Sequence, residues 1–235
     1  MAKEIKKDKL VKEETPAANN HPLQEAKTPN RKSKIYLITG FLILLVGIFF
    51  ISNYIFSNLN NIEYNGLTFA KESFGEIPVF SYSYYITPKL KYNLYLRNDP
   101  RKNNVPLTGK AIDNGIEFLK EETIYLSVDP KGLTECEYGR VGIGTLASFL
   151  SDNQLKVVGA APDEALAAEV NVKFATCEYR PQDKVILLQA GDKTEIIQDN
   201  ENCIVINVAN CEILDAVEKF EVQSIIDARD RRMTK

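Results

Sequence analysis

Thr123 to Gly159 reads TIYLSVDPKGLTECEYGRVGIGTLASFLSDNQLKVVG. Ile124–Val128 is a short β-forming run closed by turn residues, Asp129-Pro130-Lys131-Gly132. Glu137–Ser151 then carries Tyr138, Val141, Leu146, Phe149 and Leu150 at helical spacing, which predicts a helix with those residues inward. Leu155–Gly159 is the next strand. Strand, helix and strand in this order predict a parallel βαβ unit with a right-handed crossover, and so an α/β domain.

Downstream the alternation continues. Asp163–Glu169 predicts a short helix, and Val172–Thr176 and Val185–Gln189 predict strands. Gly191-Asp192-Lys193 leading into Thr194–Gln198 is a hairpin signal, and Cys203–Val208 is a further strand. Asn210 is placed to cap a final helix over Cys211–Ala228, with Ile213, Leu214, Val217, Phe220 and Ile225 inward. Gly142-Ile143-Gly144-Thr145-Leu146-Ala147 matches a dinucleotide-binding string, but that motif belongs in the turn directly after a strand. These glycines lie inside the predicted helix, so they read as sites of close packing against the sheet.

Upstream, Phe80, Tyr82, Tyr84 and Ile86 alternate along one strand, and Leu90, Tyr92, Leu94 and Leu96 along the next. Thr87-Pro88-Lys89 joins them, which predicts a β-hairpin whose Tyr-rich face is core. Between hairpin and α/β region, Ile112, Ile116 and Leu119 suggest a short helix that Gly109, Asn114 and Gly115 weaken.

Ahead of all this stands IYLITGFLILLVGIFFISNYIF, Ile35 to Phe56, with no charged residue. A bilayer core of about 30 Å needs roughly 20 apolar residues in a helix. A soluble core helix is rarely apolar on every side. A cleavable signal has a shorter apolar run and a small-residue cleavage site, which Ser52-Asn53-Tyr54 does not supply. Residues 35–56 therefore read as an uncleaved transmembrane anchor, with Tyr36 and Tyr54 near its two ends. Residues 1–34 carry nine Lys and Arg, whereas the twenty residues after Phe56 carry only Lys71. The positive-inside bias predicts a cytoplasmic N-terminus and an extracytoplasmic C-terminal domain in the cell membrane. Residues 1–34 read as a disordered tail, 57–65 as a stalk, 66–228 as the outer domain and 229–235 as a C-terminal tail. Gly40 and Gly47 share a helix face, which leaves room for a second copy.

The formal net charge of −3 conceals an asymmetry. The tail holds nine bases against five acids, +4, so everything after it carries −7. An acidic outer domain argues against nucleic-acid binding, which depends on basic stripes. The single histidine, His21, precedes the anchor, so the outer domain has no histidine for a catalytic triad or a zinc site. Cofactor and metal are expected to be none. All four cysteines follow the anchor and none forms C-x-x-C, which fits disulfides in an oxidising compartment. Cys203 and Cys211 bracket an extended strand and so stand too far apart to pair. Cys136 opens a helix and Cys177 closes a strand, so a Cys136–Cys177 disulfide is expected, with Cys203 and Cys211 unassigned.

Leu94-Tyr95-Leu96-Arg97-Asn98-Asp99-Pro100-Arg101 is similar to a family of archaeal single-pass membrane-anchored proteins. So are Asn202-Cys203-Ile204-Val205, Asn210-Cys211-Glu212-Ile213-Leu214 and Glu218-Lys219-Phe220. That family carries no known activity, so the resemblance implies only that anchor plus α/β domain is a recurring unit.

The fold class expected is α/β: one extracytoplasmic domain on a mixed sheet with helices, preceded by a β-hairpin and the transmembrane helix. The function expected is a non-catalytic binding or assembly module with a protein partner at the cell surface. Two other readings stand beside it. Asp129, Glu135 and Glu137 cluster where a carboxylate enzyme of this class would place its site. Arg97, Arg101 and Lys102 share one turn and offer an anion or glycan site.

Overall fold

The computed structural model describes residues 31–109 and 123–233. The tail up to residue 30 and the ambiguous segment at Ile112, Ile116 and Leu119 lie outside the described residues. The chain divides after Ser52, and its two parts are described separately.

Helix α1, Arg31–Asn60, contains one stretch long and apolar enough to cross a membrane, the 22 residues Lys34–Ile55. At 1.5 Å per residue that stretch is about 33 Å long, slightly more than the bilayer hydrocarbon. A Cβ at Gly40 or Gly47 would meet nothing within 4 Å.

The second part is α/β, built on two sheets with helices against both. The first sheet is antiparallel, with strands in the order β1 (Asn61–Tyr64), β2 (Leu67–Phe74), β3 (Ile77–Thr87) and β4 (Leu90–Leu96). Asn65 and Gly66, at φ 47° and 74°, form the two-residue turn between β1 and β2. Such turns need positive φ at both positions, and Asn-Gly supplies it most readily. The segment expected as a stalk is therefore helix to Asn60 and paired strand from Asn61, with Ile62 buried. Between β3 and β4, Thr87 Oγ1 accepts the backbone N–H groups of Lys89 and Leu90. The Tyr-rich face does pack inward. Ring centroids run 5.4 Å from Phe69 to Tyr82, 5.8 Å to Tyr84 and 5.4 Å to Tyr92.

The second sheet is mixed and has seven strands. Their order is β5 (Leu107–Gly109), β10 (Glu195–Asn200), β11 (Cys203–Val208), β9 (Lys184–Ala190), β6 (Thr123–Val128), β7 (Lys156–Ala161) and β8 (Lys173–Phe174). Strands β6, β7, β8, β9 and β11 run parallel, and β10 is antiparallel to β11. Helix α2, Gly139–Asp152, connects β6 to β7 as the opening stretch predicts. Helix α3, Glu164–Glu169, is capped by Asp163, whose carboxylate accepts the N–H of Leu166.

One expected pairing fails. Gly191 to Lys193 does not turn β9 back on itself, because β11 lies between β9 and β10. The short link passes over the end of β11, where Thr194 Oγ1 accepts the N–H of Ala209 and donates to its carbonyl. The true hairpin is β10–β11, with Asn200 opposite Cys203.

Helix α4, Ile213–Met233, runs further than expected and takes in most of the residues read as a C-terminal tail. Asn210 does not cap it. Asn210 and Cys211 are both left-handed, at φ 49° and 61°, and Glu212 immediately precedes the first turn. Leu146, Phe149 and Leu150 of α2 are buried, but Val141 of α2 and Tyr138, immediately before it, are exposed. Gly142 does allow close approach, though to Ile213 of α4 rather than to the sheet. One core joins the layers. Ile62, Phe69, Leu94 and Leu96 of the first sheet share it with Ile124, Leu126, Ile186 and Ile206 of the second. Phe149 of α2 and Phe220 of α4 stand between them, 6.5 Å apart.

The cysteines correct the expected pairing. Cys136 bonds Cys211, with Cα atoms 5.4 Å apart, and Cys177 bonds Cys203, with Cα atoms 5.5 Å apart. Cys136 follows β6 and Cys211 follows β11; because those strands are parallel, both residues emerge at the same sheet edge. After β8 the chain returns to the opposite edge to begin β9, and this brings Cys177 to the start of β11. The two bonds thus fasten both ends of β11.

Candidate functional site

Helix α4 is buried on more than one side. Ile213, Ala216, Val217, Phe220, Val222, Ile225 and Ile226 are all buried, and at 100° per residue they occupy most of the helix circumference. A helix packed between two layers has no broad polar face to give to water. Its acidic residues are accordingly drawn in: Glu218 is 6% exposed and Glu221 is 3% exposed.

The two carboxyls have different surroundings. Glu218 Oε1 accepts the backbone N–H of Arg97 at 2.5 Å, and its Oε2 accepts that of Asn98 at 3.1 Å. These are the first residues beyond β4, so Glu218 fixes the chain where it leaves the first sheet. Burial pushes its carboxyl up to about 7, with the two backbone N–H groups pulling the other way and Asp215 adding to the rise. Glu221, one turn later, accepts no hydrogen bond from the described residues. Burial first, and then the neighbouring Glu218, hold its carboxyl well above the usual carboxylate range. Tyr84 and Tyr92 lie close enough for Glu221 to raise their hydroxyls further, although burial is the main cause there too.

Glu218 and Glu221 line a cleft of about 260 Å³. Its walls are Phe74, Ile77, Val79 and Tyr95 of the first sheet, Val141 of α2 and Leu214 of α4. Phe74 and Tyr95 meet edge to face at 5.0 Å and are themselves exposed, so the aromatic wall faces outward. Arg97 and Thr145 complete the lining, and the Arg97 guanidinium lies over the Tyr138 ring, 5.7 Å from its centroid.

Two other clefts are simpler. One of about 160 Å³ is lined by Tyr82, Tyr84, Asn153 and Arg229, where Tyr84 Oη donates to Asn153 Oδ1 at 2.7 Å. The Arg229 guanidinium donates to the Asn65 carbonyl and to Asp230. The other, about 310 Å³, is polar and holds Lys102, Thr194, Glu212 and Asp215.

The residues singled out from sequence are distributed differently. Asp129 accepts the N–H of Lys131 and so ties its own loop, and Glu135 and Glu137 are exposed. None of these three lines the clefts above. Arg97 reaches the acidic cleft, Arg101 is paired with Asp99 at 2.7 Å, and Lys102 faces the polar cleft. The structure does not converge the three on one point. Glu218 and Glu221 are what the sequence reading missed. The available signal was the distribution of apolar residues in α4, too wide for a helix with one wet face.

No protein-family model, no curated protein and no solved structure matches this chain.

Proposed function

We propose that the protein is a non-catalytic binding module held to the cell membrane by residues 35–56, its N-terminus cytoplasmic and its α/β domain outside. Its task is to present the α4 cleft to a ligand or partner at the cell surface. The apolar stretch of α1 and the lysine-rich leader support this topology. Two disulfides in the domain fit an oxidising exterior. The likeness to archaeal membrane-anchored proteins suggests that the arrangement recurs.

The contrast between Glu218 and Glu221 carries the choice of binding over catalysis. A pair of carboxyls doing acid–base work needs both groups free to exchange protons with a substrate. Both oxygens of Glu218 are occupied by backbone N–H groups of the fold. That leaves one carboxyl in a cleft whose walls are mostly apolar and aromatic, with Arg97 and Thr145 as its other polar groups, a composition suited to recognition.

Protease added to intact cells, followed by blotting for each end of the chain, tests the topology. The domain should be lost and the leader protected. The reverse pattern would refute the exterior reading. Crosslinking on intact cells should then recover a surface partner or a bound small molecule, and recovery of neither overturns the binding role.

A further inference from the structure

The Glu221 carboxyl lines the α4 cleft, yet it is 3% exposed and no described residue donates to it. An ionised carboxyl so placed, without donor or counter-charge, costs several kcal/mol. The nearest cationic side chain in the lining, Arg97, is engaged over Tyr138. The group that would relieve Glu221 has to bring both positive charge and N–H donors. An ammonium offers one charge and three donors. The rest of the wall asks for something apolar, and the Phe74 and Tyr95 rings suit an aromatic or alkyl group next to a cation. At about 260 Å³ the cleft lies below the roughly 300–1,000 Å³ of pockets for drug-sized ligands, so the ligand is small.

We propose that this cleft binds a small primary amine, its ammonium on Glu221 and its apolar group against Phe74, Tyr95 and Val141. The inference rests on the binding-module reading and specifies its ligand class. Below the pH at which it titrates, Glu221 carries a proton while the cleft is empty. As the ammonium enters, the Glu221 O–H bond breaks, the proton leaves to water, and the carboxylate accepts from the ammonium. One proton is released per amine bound, and the cleft's net charge is unchanged. Several other groups face the cleft or Glu221. Glu218 comes from α4, Tyr84 from β3, Tyr92 and Tyr95 from β4, and Arg97 from just beyond β4. Helix α2 contributes the uncharged Val141 and Thr145.

The test uses the full chain in phosphatidylcholine nanodiscs, whose lipid carries no primary amine. 2-Phenylethylamine is titrated calorimetrically at pH 6 and pH 8, each in two buffers of different protonation enthalpy. 2-Phenylethanol and 3-phenylpropionate serve as neutral and anionic comparators. The amine should bind with proton release and tighten on the order of tenfold per pH unit below the Glu221 titration. Both comparators should be at least about tenfold weaker. Glu221→Gln should lose at least about tenfold in affinity while melting no lower than the native protein at either pH. Val141→Trp, at an exposed position on the cleft wall, should block binding without touching the core. Equal heats in the native protein and Glu221→Gln would mean partition into the bilayer alone, and overturn the proposal. So would binding that ignores pH. If crosslinking recovers a surface partner while the amine fails, the ligand class falls and the binding module stands.

Discussion

Ile213 of α4 lies against the bare backbone of Gly142 in α2: a Cβ built on that glycine would stand 2.8 Å from Ile213 Cγ1. Two residues further along, a Cβ on Gly144 would meet nothing within 4 Å. Helix propensity favours alanine over glycine by about 1 kcal/mol at both positions. At Gly142 that gain is outweighed, because Ile213 is fully buried and overpacking costs about 1–3 kcal/mol. Gly142→Ala should therefore lower the melting temperature and Gly144→Ala should raise it. A pair of thermal melts checks this, and a rise for Gly142→Ala would show that α2 and α4 are not in tight contact.

The disulfides make a second prediction. The Cys136–Cys211 bond closes 75 residues and Cys177–Cys203 closes 26 within them. Replacing either pair with serine should cost about 2–5 kcal/mol in a denaturant titration. Peptide mapping without reductant should join the Cys136 peptide to that of Cys211, and Cys177 to Cys203. A Cys136–Cys177 link would overturn the strand order given for the second sheet.

What the sequence made legible follows from range. The β6–α2–β7 unit has strong local periodicity, so its elements and their order could be read directly. The Tyr face of β3 was legible for the same reason, since a period of two over Phe80, Tyr82 and Tyr84 leaves one inward side. Asn65-Gly66 is a strong turn signal, but its short first strand, with Ile62 as its one buried residue, reads as linker without a partner in view. Strand order was not legible from Gly191 to Lys193, because a link over one strand and a hairpin have similar lengths and composition. The acidic cleft required knowing that α4 has layers on two sides. On a one-sided helix, Glu218 and Glu221 would be solvated.

Tyr84 and Asn153 connect the first sheet to the end of α2. The Tyr84 hydroxyl donates to Asn153 Oδ1, and Asn153 Nδ2 donates to the Phe149 carbonyl at 2.7 Å. Asn153 is fully buried, so Tyr84→Phe leaves its Oδ1 without a donor. The expected loss is about 1–3 kcal/mol in chemical denaturation. A neutral Tyr84→Phe would mean that water reaches Asn153 and the small tyrosine-lined cleft is open there.

The buried acids of α4 should give this domain an inverted pH response over the mildly acidic range. Glu218 and Glu221 both hold protons more tightly in the fold than in the unfolded chain. Between the unfolded glutamate range near 4.5 and the Glu218 value of about 7, the native state thus carries more protons. Stability then falls as pH rises through that window, by the sign of the proton-binding difference. For Glu218 the change is on the order of 3 kcal/mol, at about 1.4 kcal/mol per pH unit. Asp215, also raised by burial, adds in the same direction. Glu221→Gln removes one of these carboxyls without deleting a hydrogen bond that the fold makes. Its melting temperature should match the native protein at pH 5, exceed it at pH 8, and decline less steeply in between. Parallel native and variant slopes would place the Glu221 carboxyl in water, and the cleft as described would not exist.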